Sequence, residues 1–297
     1  MSIIAILTTD QIQALTTATL AALTTDDIRA FTTAQMVALT TAQVPSFTTS
    51  QLPAFTTAQL AAMETADVVV LTTNQLRALA STQVPGLTTA QVANLTTAQI
   101  AGLASTQIVG LSTAQLAAVT TAQVAGLGTA QLNALSSTQL AAMTTAQLGQ
   151  FTTTQLGGIS TTGVKGLTTA QLAALTTAQI TGLGTGQIGA LSTTQVAAIE
   201  TADLATLTTA QLRAFSTGQL SGLGTAQVVA LTTAQVVALS TAQMVGFRTA
   251  QVAVLTTAQV AALETADIAA LSTTQTGAFT TSQLAAMSAG QLNAIFL

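Results

Sequence analysis

The side chains able to do chemistry in this sequence are few. Its 297 residues contain no His, Cys, Tyr or Trp. Imidazole acids and bases, thiolate nucleophiles and His or Cys metal ligands are therefore excluded by residue type. What remains is one lysine, four arginines, nine carboxylates and a large stock of Thr, Ser and Gln. Lys165 has no acid or distinctive nucleophile beside it in Gly163-Val164-Lys165-Gly166 and reads as a solvated charge. No catalytic residue is assigned, and an enzyme is not expected.

Three short runs carry paired acids at one spacing: Glu64 with Asp67, Glu200 with Asp203, and Glu264 with Asp267, each reading E-T-A-D. Two carboxylates three residues apart can contribute to a hard-cation site. A single pair falls short of the six to eight oxygens that Ca²⁺ takes. Acids at the start of a helix also favour its dipole, and Arg77 or Arg213 follows within the next eight-residue unit in two of the three cases. The structural reading is preferred, with no metal site, no cofactor and no cofactor-binding residue.

The commonest spacing is Thr followed three residues later by Gln, and the elements that hold it are set by an eight-residue repeat. From Leu7 to Ala294 the chain divides without insertion or deletion into thirty-six octads, lettered a to h, of which Leu167-Thr168-Thr169-Ala170-Gln171-Leu172-Ala173-Ala174 is representative. Residues 1–297 are read as a single repeat domain. Position a is Leu, Phe, Met, Ile or Val in every octad, and f is aliphatic or Met except at Thr276. Position c is Thr or Ser except at Ala289, e is Gln in thirty octads, h is Ala or Gly in thirty, and g varies. All fourteen charges fall at b, d, e or g. Because an unpaired charge is not left in an apolar interior, those positions mark the wet side. The core is expected at a and f, with c and h where neighbouring repeats approach closely.

An unbroken helix is excluded by arithmetic, since eight residues at about 100° each overshoot two turns by about 80°. An unbroken strand fails because a and f are an odd number of residues apart. Thr at b with Gln at e forms the S/T-x-x-Q capping box, and a with f the hydrophobic staple, so each octad encodes a helix start. Gly at h in nine octads suits a helix end. Pro45, Pro53 and Pro85, all at g, limit the helix to a turn or two. The expected fold is all-α, a solenoid of one very short helix per octad ordered by stacking. The alternative is a β-solenoid with two or three octads per coil, favoured by Val or Ile at f and by the abundant Thr. Five phenylalanines (Phe55, Phe151, Phe215, Phe247, Phe279) lie multiples of thirty-two residues apart, which points to four octads per turn.

A net charge of -4 supplies no basic field for a phosphate backbone, so nucleic-acid binding is not expected. Apolar runs are too short for a transmembrane segment. The amino end, Met1-Ser2-Ile3-Ile4-Ala5-Ile6, lacks the basic region of a cleavable signal peptide.

The segment Leu231 to Leu239 resembles the first helix of transcription activator-like effector repeats. Those repeats are about four times longer and carry a base-reading loop with no counterpart here. The whole run 7–294 resembles tandem L-[TS]-x-x-Q-[LIV]-x-[AG] octapeptide arrays of large secreted or surface-associated proteins of proteobacteria. The terminal Asn293-Ala294-Ile295-Phe296-Leu297 is similar to the apolar ends of some type I secretion substrates. These resemblances imply an extracellular or cell-surface structural role, with a cytoplasmic filament as the other location. The functional expectation is a rod or self-assembling filament or matrix component whose partner is itself. The alternative is a surface-recognition solenoid binding ice, a glycan or a cell surface through a Thr-bearing face.

Overall fold

The structure, a computed structural model, describes residues 2–296. Among them are thirty-three α-helices of four to seven residues and four 3-10 turns, with no strand. The β-solenoid alternative is thereby discarded. The chain forms two compact units, one of residues 1–151 and 158–160, the other of residues 152–157 and 161–297. Each is an all-α solenoid of one short helix or turn per octad.

The octad beginning at Leu87 shows how the sequence makes the unit. Thr88 is extended at φ -73°, ψ 158°, helix Thr89–Asn94 follows, and Leu95 returns to φ -57°, ψ 145°. Two extended residues and six helical ones make one bend. The Thr88 hydroxyl accepts the Gln91 amide at 3.1 Å, and Gln91 Oε1 accepts the Thr88 amide at 2.7 Å. Leu87 and Val92, positions a and f, point inward and are 6% and 0% exposed. Burying a side chain of this size contributes about 1.5–3 kcal/mol, and each octad buries two. A helix this short does not form alone, so the core created by stacking is what orders it.

Successive coils are tied at sequence separations that give the winding directly. Glutamine side chains bond residues 28, 30 and 31 positions earlier. The shortest ties, from Ser2 to Asp27 and Arg248 to Leu223, span 25. In the second unit Thr241 and Asp267 are 26 apart. These ties span 25 to 31 residues, and in both units each helix packs on the helix three octads away, so a coil takes more than three octads and fewer than four. The four octads per turn expected from the phenylalanines are not found. The helices that stack are three octads apart, and the ring contacts are local, Phe31 with Phe47 at 6.4 Å and Phe47 with Phe55 at 5.1 Å, both edge-on.

Positions c and h meet between coils as expected, and the contact explains the small residue. A Cβ on Gly86 would lie 2.6 Å from Thr57 Cβ, one on Gly246 2.9 Å from Thr217 Cβ, and one on Gly102 3.1 Å from Thr73 Cγ2. No glycine among the described residues has a positive φ. Glycine at h stands at the helix end as expected, and it is there for space and not for a left-handed backbone.

The three proline octads keep the bend without the α-helix. Their helices are replaced by 3-10 turns Val44–Ser46, Leu52–Ala54 and Val84–Gly86. A proline at g supplies no amide and crowds the carbonyl four residues back.

Candidate functional site

The most regular polar feature is the glutamine at e, and from Gln35 onward it is inside the protein. Gln91 is 1% exposed and Gln251 0%. The rule that charged positions are wet holds at b, d and g and fails at e, where Asp67, Asp203 and Asp267 are also buried. The reason is that e serves two chain segments at once. Gln91 Oε1 accepts from Thr88 in its own octad, while its Nε2 donates to the carbonyls of Leu60 at 2.9 Å and Met63 at 2.7 Å in the coil before. Gln59 does the same to Ile28 and Phe31, and in the second unit Gln235 does so to Leu204 and Leu207. Both ends of each amide are satisfied in a buried place, where an unmade bond costs about 1–3 kcal/mol.

Of the two halves of the capping box, the glutamine half is the tighter. Glutamine Oε1 lies 2.6–3.0 Å from the b amide, whereas the hydroxyl at b lies 3.1–3.3 Å from the e amide. Where b is Ala104, Gly128, Gly184, Gly224 or Arg248, no hydroxyl is available and the glutamine bond alone is made. It also survives in the proline octads: Gln51 holds the Thr48 amide at 2.7 Å and the Leu20 and Leu23 carbonyls at 2.9 and 2.8 Å.

The residues singled out by their chemistry are not brought together. Lys165 is exposed at g, and its carbonyl accepts from Gln195 at 3.2 Å. Arg77 and Arg213 make no ion pair with the E-T-A-D acids; the one ion pair among the described residues is Arg29 with Asp26, at 3.1 Å on the surface. Glu64, Glu200 and Glu264 stand at b without capping their helices through the side chain. No group of three acids positioned to hold a metal, and no cavity, occurs among the described residues. No helix there is long and apolar enough to cross a membrane.

Aspartate at e behaves in two ways. Asp27, with Thr24 at b, accepts the Thr24 amide at 3.0 Å and hydroxyl at 2.7 Å and the Ser2 hydroxyl at 2.6 Å. These bonds, that from Ser2 foremost, hold its carboxyl below the ordinary value. Asp67, with Glu64 at b, has no such cap. Its Oδ2 is buried without a hydrogen-bond partner. Burial, and secondarily the charge of Glu64, push its carboxyl up to about 6.

This repeating unit, a Leu followed by Thr-Thr-Ala-Gln, is also what comparison with known families identifies. The ALTTAQ repeat matches in overlapping windows that together cover residues 4–57 and 60–295. The chain belongs to the ALTTAQ repeat family. A search of curated proteins finds no match to it. The commonest geometry of the unit here is a threonine cap, an alanine in the first turn and a glutamine that ties one coil to the next.

Proposed function

We propose that this ALTTAQ array is a structural element, a spacer or self-assembling rod of a bacterial extracellular or cell-surface matrix, and that it performs no catalysis. The observation that carries the reading is the glutamine clamp, repeated from octad to octad in both units. It spends the most constant polar side chain of the sequence on holding coil to coil. The surface supports association between copies. It is built from Thr, Ala and Gly with few charges and a net charge of -4, so little repulsion keeps copies apart. Val37, Val109, Val229, Val237 and Val245, all at g, are exposed.

Electron microscopy of the purified chain, with light scattering across concentration and salt, tests this reading. Rods or filaments whose mass grows with concentration are expected. Monodisperse single chains under all conditions would sink the assembly half of the proposal.

Recognition of ice, glycan or a cell surface is the second reading, supported by exposed threonines at c in octad after octad. These hydroxyls occur in successive octads all around each coil and not on one side of it, which weighs against a single flat binding face. Thermal hysteresis or glycan-array binding by a monodisperse sample would favour it over assembly.

A further inference from the structure

The glutamine rule leaves the E-T-A-D octads with a gap of defined chemistry. Gln59 donates to the carbonyls of Ile28, Arg29 and Phe31, and Gln75 to those of Pro45 and Phe47. By the same separations, position 67 addresses the carbonyls of Met36, Val37 and Leu39, and it holds an aspartate. Asp67 brings an acceptor where the rule requires a donor. It is also one methylene shorter than glutamine, so it leaves a shortfall of about 1.5 Å, one carbon-carbon bond.

The direction of such a carboxylate is shown by Asp267. Its Oδ1 accepts from Thr241 Oγ1 at 2.9 Å, two residues beyond Leu239, the carbonyl that position 267 addresses. The counterpart of Thr241 for Asp67 is Thr41. That residue lies in the turn that precedes Pro45, where the α-helix is lost, and among the described residues it donates nothing to Asp67. Asp67 is consequently 1% exposed with Oδ2 unpartnered, and the three carbonyls that its position addresses receive no side-chain hydrogen bond from it.

We propose that the gap between Asp67 and the carbonyls of Met36, Val37 and Leu39 binds one hard, oxygen-seeking divalent cation, with Glu64 as the second carboxylate on the solvent side. Two carboxylates balance a double charge, three carbonyls add neutral oxygens, and water completes the shell beside the exposed Glu64. An all-oxygen set of this kind suits Ca²⁺, which takes six to eight such ligands at about 2.3–2.6 Å. A cation at that distance from the carbonyls stands near where a glutamine Nε2 would, and the shortfall of aspartate is the room it needs. Helix Thr89–Asn94, which packs on helix Thr65–Val69, carries no charge, nor do residues 32–46, which hold the three carbonyls, so no charged side chain of either segment competes for the place. The site does not depend on whether copies assemble.

The test is thermal unfolding of the full chain after chelation, with and without millimolar CaCl₂, alongside calorimetric titration of CaCl₂. Near neutrality calcium is expected to raise Tm by a few degrees, about 2–4 °C for each tenfold excess over Kd. The rise shrinks near pH 5, where protons compete for Asp67. Asp67→Gln restores the family glutamine and is expected to fold, to melt higher than the parent in chelator, and to lose the calcium response. The double variant Asp203→Gln, Asp267→Gln keeps that response. Absence of any shift overturns the site, as does a shift that persists in Asp67→Gln. Stabilisation by acid with no effect of calcium assigns the gap to a proton alone and also overturns it.

Discussion

The proline octads and the acidic octads are opposite defects in one repeat. Around Pro53 the α-helix is gone and the clamp remains, Gln51 still bonding Thr48, Leu20 and Leu23. Around Asp67 helix Thr65–Val69 is intact and the clamp is missing. The contrast teaches that helix and clamp are separable: the octad needs a bend that buries a and f, and the α-helix is the usual way of making it. The clamp is what fixes one coil on another.

The sharpest way to break this contrast is to remove a clamp where no α-helix supports the octad. Gln51→Leu strands the Thr48 amide and two buried carbonyls, and is expected to cost about 3–4 kcal/mol. Gln91→Leu, in a helical octad whose Thr88 hydroxyl still caps, should cost about 2–3 kcal/mol. Denaturant unfolding compares the two, and an equal loss would mean that the helix adds nothing to the clamp's neighbourhood.

The acidic side is sharpened by pH. Asp67 has its folded value raised from 3.8 to about 6, so the folded state binds the proton more tightly than the unfolded state does. The buried charge is a full penalty above pH 6, and the penalty is relieved as pH falls from about 6 towards 4. In chelator, Asp67→Gln should therefore stabilise by about 1–3 kcal/mol near neutrality, at 1.36 kcal/mol per pH unit, and by progressively less on acidification. A gain independent of pH would show that the charge is not its source.

Crowding between coils comes next. Gly86→Ala places a methyl 2.6 Å from Thr57 Cβ and is expected to lower stability by about 1–2 kcal/mol, even though alanine is the better helix former; a gain in Tm would refute the close approach. The smallest effect should be Thr88→Ala, about 0.5–1 kcal/mol, because the longer bond of the capping box is the one lost. A loss matching that of Gln91→Leu would reverse the ranking of the two halves.

Much of this was legible in the sequence, and what was not has identifiable causes. The core at a and f followed from their constancy, the helix start from Thr at b with Gln at e, and the contact of c with h from their small size. The burial of e was hidden by its aspartates, which made it look wet. A signal was nevertheless present: a capping box accepts Glu as readily as Gln, yet no octad carries Glu at e. The missing residue type marks the need for the amide NH₂, which only glutamine supplies. The winding was not legible because it depends on how coils stack. The five phenylalanines at multiples of thirty-two residues pointed to four octads per turn, whereas the helices stack three octads apart.

The stacking of each helix on the one three octads away also sets what the protein can write on its own surface. A side chain in one octad therefore has its nearest counterpart in the next coil three octads away, and each unit has equivalent neighbours above and below. Distinguishing one side from another is then left to single departures from the octad, of which the aspartates at 67, 203 and 267 are the most pronounced.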